Sequence, residues 1–219
     1  MIPVVPALIP SDEYDVIKAA GDVAWSREFH LDVVDGKFVE NCSWPFTPAG
    51  EPAAVGHTLR GFSLEVDLMV AQPSKPARLW QEAGADRLVF HVETLTPEEL
   101  ENIAADATAS VGVACHGATP IELLLEYATK ADFIQLMGIR EIGTQGQPFD
   151  ERVLDSITKV KQELPSISVT VDGSVNKDTI ARLAAAGADR FIVGSAIMKR
   201  EDKEQAWHEL SGLINQTLL

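Results

Sequence analysis

His30 and Asp32 stand two residues apart in Phe29-His30-Leu31-Asp32-Val33-Val34, an apolar run closed by Asp35-Gly36. In a strand, residues two apart point to the same face. An imidazole and a carboxylate therefore lie side by side on a surface otherwise made to be buried. Side chains of that kind in that setting hold a metal ion, move protons or pair with each other. A second acidic strand end, Ser168-Val169-Thr170-Val171-Asp172-Gly173-Ser174, follows about 140 residues later. The two together suggest a site assembled from distant strands. The plainer readings are a satisfied core pair for His30 and Asp32, and a turn after a strand for Asp172-Gly173.

The elements that must position these residues alternate. Short apolar runs rich in Val, Ile, Leu and Phe mark strands over 3–8, 28–34, 62–69, 87–91, 110–115, 132–137, 167–172 and 190–194. Continuous apolar character is what parallel strands buried on both faces need. Amphipathic stretches between them predict helices over 12–20, 48–58, 74–83, 97–106, 119–129, 150–163, 176–186 and 202–217. Thr96-Pro97-Glu98-Glu99 carries the start signals of a helix: a capping Thr, Pro at the first position, acids in the first turn. Thr119-Pro120-Ile121-Glu122 repeats that logic. Ala83-Gly84-Ala85-Asp86-Arg87-Leu88-Val89-Phe90 is echoed by Ala186-Gly187-Ala188-Asp189-Arg190-Phe191-Ile192-Val193, and more weakly by Lys130-Ala131-Asp132-Phe133-Ile134. Each copy is a helix end, a break and a strand, which supports βα units. Eight units in 219 residues predict an α/β chain forming one (β/α)8 TIM barrel, a single domain over 1–219. Functional side chains in that architecture sit at the C-terminal strand ends, and His30, Asp32, Asp67, His91, Met137 and Asp172 all fall at or near such ends.

Composition narrows the partners. Thirty-three acids against 18 bases give a net charge of −15, which leaves no basic patch for nucleic acid or an anionic membrane. Small phosphorylated ligands stay open, because backbone N–H groups at helix starts can hold them. Cys42 and Cys115 are too few and too scattered for a zinc module or a disulfide framework, so a reduced, cytoplasmic setting is expected. Residues 1–10 read as a first strand rather than a signal peptide, and no apolar run approaches 18 residues.

Over nearly its full length the chain resembles the ribulose-phosphate 3-epimerase family. Phe29-His30-Leu31-Asp32-Val33-Val34-Asp35-Gly36-Lys37-Phe38-Val39-Glu40-Asn41 looks like that family's first signature. Asp67-Leu68-Met69-Val70, Phe90-His91-Val92-Glu93, Ala118-Thr119-Pro120, Val171-Asp172-Gly173-Ser174-Val175 and Gly194-Ser195-Ala196-Ile197 follow in the family's order. The resemblance implies a cytoplasmic isomerase that inverts carbon 3 of a ketose phosphate, interconverting D-ribulose 5-phosphate and D-xylulose 5-phosphate. A six-carbon ketose phosphate is the related substrate left open. Such inversion removes a proton from one face and returns it on the other. By resemblance Asp32 and Asp172 are the acid/base pair, and His30, Asp32, Asp67 and Asp172 hold a divalent metal ion (Mn, Mg, Zn or Fe) that stabilises the enediolate. Assembly into homo-oligomers is implied in the same way.

The chain departs from the family at Asp67, where a histidine is usual, at Ala7, where a serine is usual, and at His116-Gly117, where Asn-Pro is usual. Three carboxylates with one imidazole suit a harder ion such as Mn²⁺ or Mg²⁺. Loss of the metal is the alternative, leaving a phosphosugar-binding or divergent epimerase-like barrel with an altered substrate. Decarboxylases and aldolases on related barrels usually carry an Asp-x-Lys pair on the third strand; Glu65-Val66-Asp67 has no lysine.

Gly143-Thr144-Gln145-Gly146-Gln147-Pro148-Phe149 resembles the family's glycine-rich loop, after one apparent extra residue near Arg140-Glu141-Ile142. With Gly173-Ser174 and Gly194-Ser195 it implies an anion site formed by Gly143, Gly146, Gln147, Gly173, Ser174, Gly194 and Ser195. Met69 and Met137 match methionines that line the family's active site, or are core filler. His91 is a metal-orienting partner or a core histidine; His57 and His208 are expected on the surface. Trp44-Pro45-Phe46 follows the second strand and is placed to cover the barrel mouth.

Overall fold

The computed structural model describes residues 4–144 and 146–217. Eight parallel strands close into a barrel in chain order: β1 (Val4–Leu8), β2 (Glu28–Val34), β3 (Ser63–Met69), β4 (Arg87–His91), β5 (Ser110–Ala114), β6 (Phe133–Met137), β7 (Ser168–Asp172) and β8 (Arg190–Val193). Among the described residues the helices are α1 (Glu13–Asp22), α2 (Ala53–Leu59), α3 (Ser74–Glu82), α4 (Pro97–Asp106), α5 (Ile121–Ala128), α6 (Arg152–Glu163), α7 (Ile180–Ala186), α8 (Ser195–Met198) and α9 (Lys203–Thr217). The fold is a (β/α)8 TIM barrel. No helix among the described residues is long and apolar enough to cross a membrane.

Period-two alternation divides each strand between two cores. Phe29, Leu31 and Val33 of β2, with Leu64, Val66 and Leu68 of β3, belong to the large apolar core that includes helix residues such as Val16, Trp80, Ile157 and Leu210. Fully burying side chains of this size contributes roughly 1.5–3 kcal/mol each. The alternate residues face into the barrel and include small apolar groups (Val5, Ala7 and Ile192; Val89, Ala114 and Phe133). Between those groups lies the polar column that forms the site.

The repeated Ala-Gly-Ala-Asp-Arg segments have a physical basis. Asp86 accepts from the Leu64 N–H at 2.9 Å and Asp189 from the Val169 N–H at 2.8 Å. Asp132 of the third copy accepts from the Val111 N–H at 2.8 Å. Each aspartate caps the start of the preceding strand. Gly84 and Gly187 take φ of +104° and +111°, which a Cβ would disfavour.

The expected strand spans hold to within a residue at most ends; position 3 lies outside the described residues. Several local expectations shift. The helix placed at 48–58 begins only at Ala53, because Pro48, Gly50 and Pro52 break the approach into turns. Thr96 caps α4 with a full capping box, but Thr119 does not cap α5: its hydroxyl donates to Glu93 instead. Trp44 does not cover the mouth. It is buried in the main core, edge-on to Trp80 with ring centroids 6.0 Å apart, since burying so large an apolar ring is more favourable than leaving it at a rim.

Candidate active site

The polar column is built in layers. At the floor, Arg190 of β8 donates to Glu28 of β2 at 2.8 Å and to Glu65 of β3 at 2.7 Å. Arg87 of β4 donates to the other Glu65 oxygen at 2.6 Å. Both arginines of the repeated segments thus converge on one buried carboxylate. Burial opposes the charge on Glu65, yet Arg190, His30 and Arg87 hold its pKa well below the usual carboxylate range.

One layer up, His30 lies fully buried between two acids. Its Nδ1 donates to Glu65 at 2.8 Å, and its Nε2 faces Asp32 Oδ1 at 3.0 Å. Burial disfavours the imidazolium, but Asp32 and Glu65 outweigh it and raise the His30 pKa well above its ordinary value. Glu65 therefore fixes the ring orientation and directs Nε2 towards Asp32.

Asp32 and Asp67 lie opposite each other in the β2–β3 register. The Asp67 carboxylate is held from two sides: His91 Nε2 donates to Oδ1 at 3.0 Å, and Gln135 Nε2 donates to Oδ2 at 2.7 Å. His91 thus touches a predicted site residue, while His57 and His208 are exposed. Ligand atoms of His30, Asp32 and Asp67 lie within 4.8 Å of one another. This imidazole and two carboxylates fit a divalent cation by donor type and spacing. Asp172 stands outside that group, on the wall of the cavity above it.

The cavity, of about 200 Å³, is lined by Asp32, Asp172, Met69 and Met137 and by Gly143, Gly146, Gln147, Gly173, Ser174, Gly194 and Ser195. Every residue assigned from sequence to the acid/base pair or to phosphate and substrate binding meets here; His30 and Asp67 lie beneath. Burial, and then the charge of Asp32, push the Asp172 carboxyl well up from its ordinary pKa. Burial also raises Asp32, with His30 pulling the other way. Carboxyls shifted in this direction at a cavity wall are suited to proton transfer near neutral pH.

The rim is shaped by close backbone approach. A Cβ on Gly138 would lie 2.2 Å from the Gly173 carbonyl oxygen, so β6 and β7 pack here only as glycines allow. Gly173 and Ser174 both take positive φ, +93° and +52°. Asn41, from the long motif after β2, donates to the Gly143 carbonyl at 2.7 Å and ties that motif to the glycine-rich loop. Asp35 accepts from the Lys37, Phe38 and Ala71 N–H groups, fixing the turn at the top of β2 against the end of β3. Gln145 lies outside the described residues. No Lys or Arg occurs among the described lining residues, so an anion would be held by backbone N–H groups and short polar side chains.

Five participants carry no site assignment from the sequence: Glu28, Glu65, Arg87, Gln135 and Arg190. Glu65 had a readable signal, standing two residues before Asp67 and so on the same face. Gln135 had a weaker one, an amide inside the apolar run Phe133–Met137.

Both cysteines are free. Burial pushes the Cys115 thiol up to about 12, whereas Cys42 is only partly buried. Iodoacetamide at pH 8 is expected to alkylate Cys42 in the native protein and to spare Cys115 until denaturant is added. Peptide mass mapping reads this directly, and equal native labelling of both would contradict it.

Comparison with known proteins agrees with this geometry. The family model described as "Ribulose-phosphate 3 epimerase family" matches residues 4–198. The ribulose-phosphate 3-epimerase of Schizosaccharomyces pombe is 29% identical over 219 residues, covering 98% of this chain and 93% of its own. That of Mycobacterium leprae is 31% identical over 210 residues, covering 93% of this chain and 91% of its own. Among solved structures, 3-hexulose-6-phosphate synthase from Salmonella typhimurium superposes with a TM-score of 0.73 at 17% identity, covering 98% of this chain and 99% of that one. Orotidine 5'-phosphate decarboxylase from Pyrococcus horikoshii gives 0.70, also at 17% identity, covering 97% and 99%. At such identities the structures speak for the fold alone. The match over residues 4–198, with relatives of similar length, settles the assignment: the chain belongs to the ribulose-phosphate 3-epimerase family.

Proposed function

We propose that the chain interconverts D-ribulose 5-phosphate and D-xylulose 5-phosphate. The observation that carries this reading is that Asp32 and Asp172, both with raised pKa, line one cavity from strands that are not neighbours. Carboxylates from β2 and β7 would approach a bound ketose from different sides. One, ionised, removes the carbon-3 proton; the other, protonated, delivers a proton to the opposite face. Their roles exchange in the reverse direction.

Gly143, Gly146, Gln147, Gly173, Ser174, Gly194 and Ser195 would hold the phosphate and set the distance to carbon 3. Met69 and Met137, packed with Val34, Ile139 and Ile142, exclude water from the reacting carbon. His30, Asp32 and Asp67, with Asp172 above them, would hold the divalent cation. That cation, when bound, supplies positive charge against the negative charge developing on the substrate oxygens. The carboxylate-rich set favours Mn²⁺ or Mg²⁺ over Zn²⁺ or Fe²⁺. The free thiols agree with a reducing, cytoplasmic setting, and the resemblance supports a homo-oligomer.

One observation favours a second reading, a phosphosugar-binding barrel without metal-dependent turnover: both Asp67 oxygens are already engaged by His91 and Gln135. NMR of D-ribulose 5-phosphate with the protein in D₂O, with and without Mn²⁺, decides between the two. The expected result is deuterium at carbon 3 together with xylulose 5-phosphate, dependent on Mn²⁺. No exchange under either condition would leave the binding role as the better account.

A further inference from the structure

Gln135 is fully buried, on a strand that is not a neighbour of β3. Its side chain crosses the barrel interior to reach Asp67 Oδ2, while its own Oε1 has no partner among the described residues. A buried amide oxygen left without a partner carries a desolvation cost. An aliphatic side chain would fill the same place without that cost, so packing does not account for glutamine here.

The geometry around Asp67 does. His91 donates to one carboxylate oxygen and Gln135 to the other. The His91 ring is itself backed by Phe38, with centroids 5.3 Å apart. Two donors, one on each oxygen, fix the carboxylate plane, which a short aspartate side chain would otherwise leave free to turn. Each oxygen keeps a second lone pair, so ligation is still open. The donors also draw negative charge away from Asp67, which moderates the repulsion among Asp32, Asp67 and Asp172.

We propose that Gln135, with His91, is a positioning residue that makes Asp67 a fixed oxygen ligand and so sets the preference of the site for Mn²⁺ over Zn²⁺. The inference rests on the divalent-cation site proposed above and deepens it. Partners of this kind typically change metal affinity about 10–100-fold when removed.

The test is a double-mutant cycle on the chelator-treated full chain, titrated with Mn²⁺ and separately with Zn²⁺ by calorimetry. Free Mn²⁺ is read in parallel by electron paramagnetic resonance. Gln135→Leu is expected to weaken Mn²⁺ binding about 10–100-fold and to lower the Mn²⁺/Zn²⁺ affinity ratio at least about tenfold. In an Asp67→Ala background the same change should alter Mn²⁺ affinity less than about threefold, because its partner is gone. Gln135→Met, which keeps the unbranched shape, replaces Gln135→Leu if that variant does not fold. An unchanged affinity and ratio in Gln135→Leu, or an equal loss in the Asp67→Ala background, overturns the positioning role while the cation site stands. A wild-type chain that binds neither ion removes the site itself and the proposal with it.

Discussion

Asp172→Asn is expected to lower turnover of D-ribulose 5-phosphate by about 10²–10⁴-fold, the usual contribution of a positioned proton-transfer group. Asparagine keeps the size of the side chain and an acceptor oxygen but can neither take nor release the proton. Asp172 makes the cleaner test of the two carboxyls. Asp32 also contacts His30 at 3.0 Å, so its replacement would disturb the layer beneath as well. The anion site should survive, because Gly143, Gly146 and Gly194 line the cavity independently of the Asp172 carboxyl. The dissociation constant for ribulose 5-phosphate should therefore change much less than kcat. With Asp32 still present, one epimer should exchange its carbon-3 proton with solvent and the other should not. Separate NMR experiments on the two pentulose phosphates in D₂O would reveal that asymmetry. Turnover within a few-fold of wild type would sink the two-carboxylate assignment.

How much of this was legible in the sequence depended on the range of the interaction. Strand positions were legible because parallel strands buried on both faces have a distinctive composition, and α4 because Thr96, Pro97 and Glu99 form a local device. Thr119 carried the same letters, but Glu93, distant in sequence, takes its hydroxyl. Local rules do not see such competitors. His30, Asp32 and Asp67 could be named because each stands in a motif, and the barrel gathers them. Gln135 could not. Its inward direction follows from alternation, but its partner Asp67 is 68 residues away, reached through the barrel interior. In the sequence Arg87 and Arg190 stand out only as parts of a repeated helix-to-strand turn. That the two copies send their arginines to one glutamate is a property of the closed barrel, which sets β4 and β8 on opposite sides.

That convergence makes Arg190→Leu the substitution with the largest expected effect on stability. Arg190 bridges Glu28 and Glu65 inside the barrel, and its guanidinium is almost wholly buried. Glu65 would keep Arg87 and His30, but Glu28 would lose both contacts recorded for its carboxylate. Removing one member of a buried ion pair leaves an uncompensated charge that costs about 3–5 kcal/mol. For a chain of this size that lowers Tm by roughly 6–20 °C. The cost lies in the stranded charge rather than in lost packing, which sets a second condition. Glu28→Gln in the Arg190→Leu background should recover part of the loss, although on its own it should destabilise the protein. Thermal unfolding of the three variants beside wild type tests both points. A Tm within about 2 °C of wild type for Arg190→Leu would show that the barrel interior solvates these carboxylates without the arginine. A double variant no more stable than Arg190→Leu would place the loss in packing.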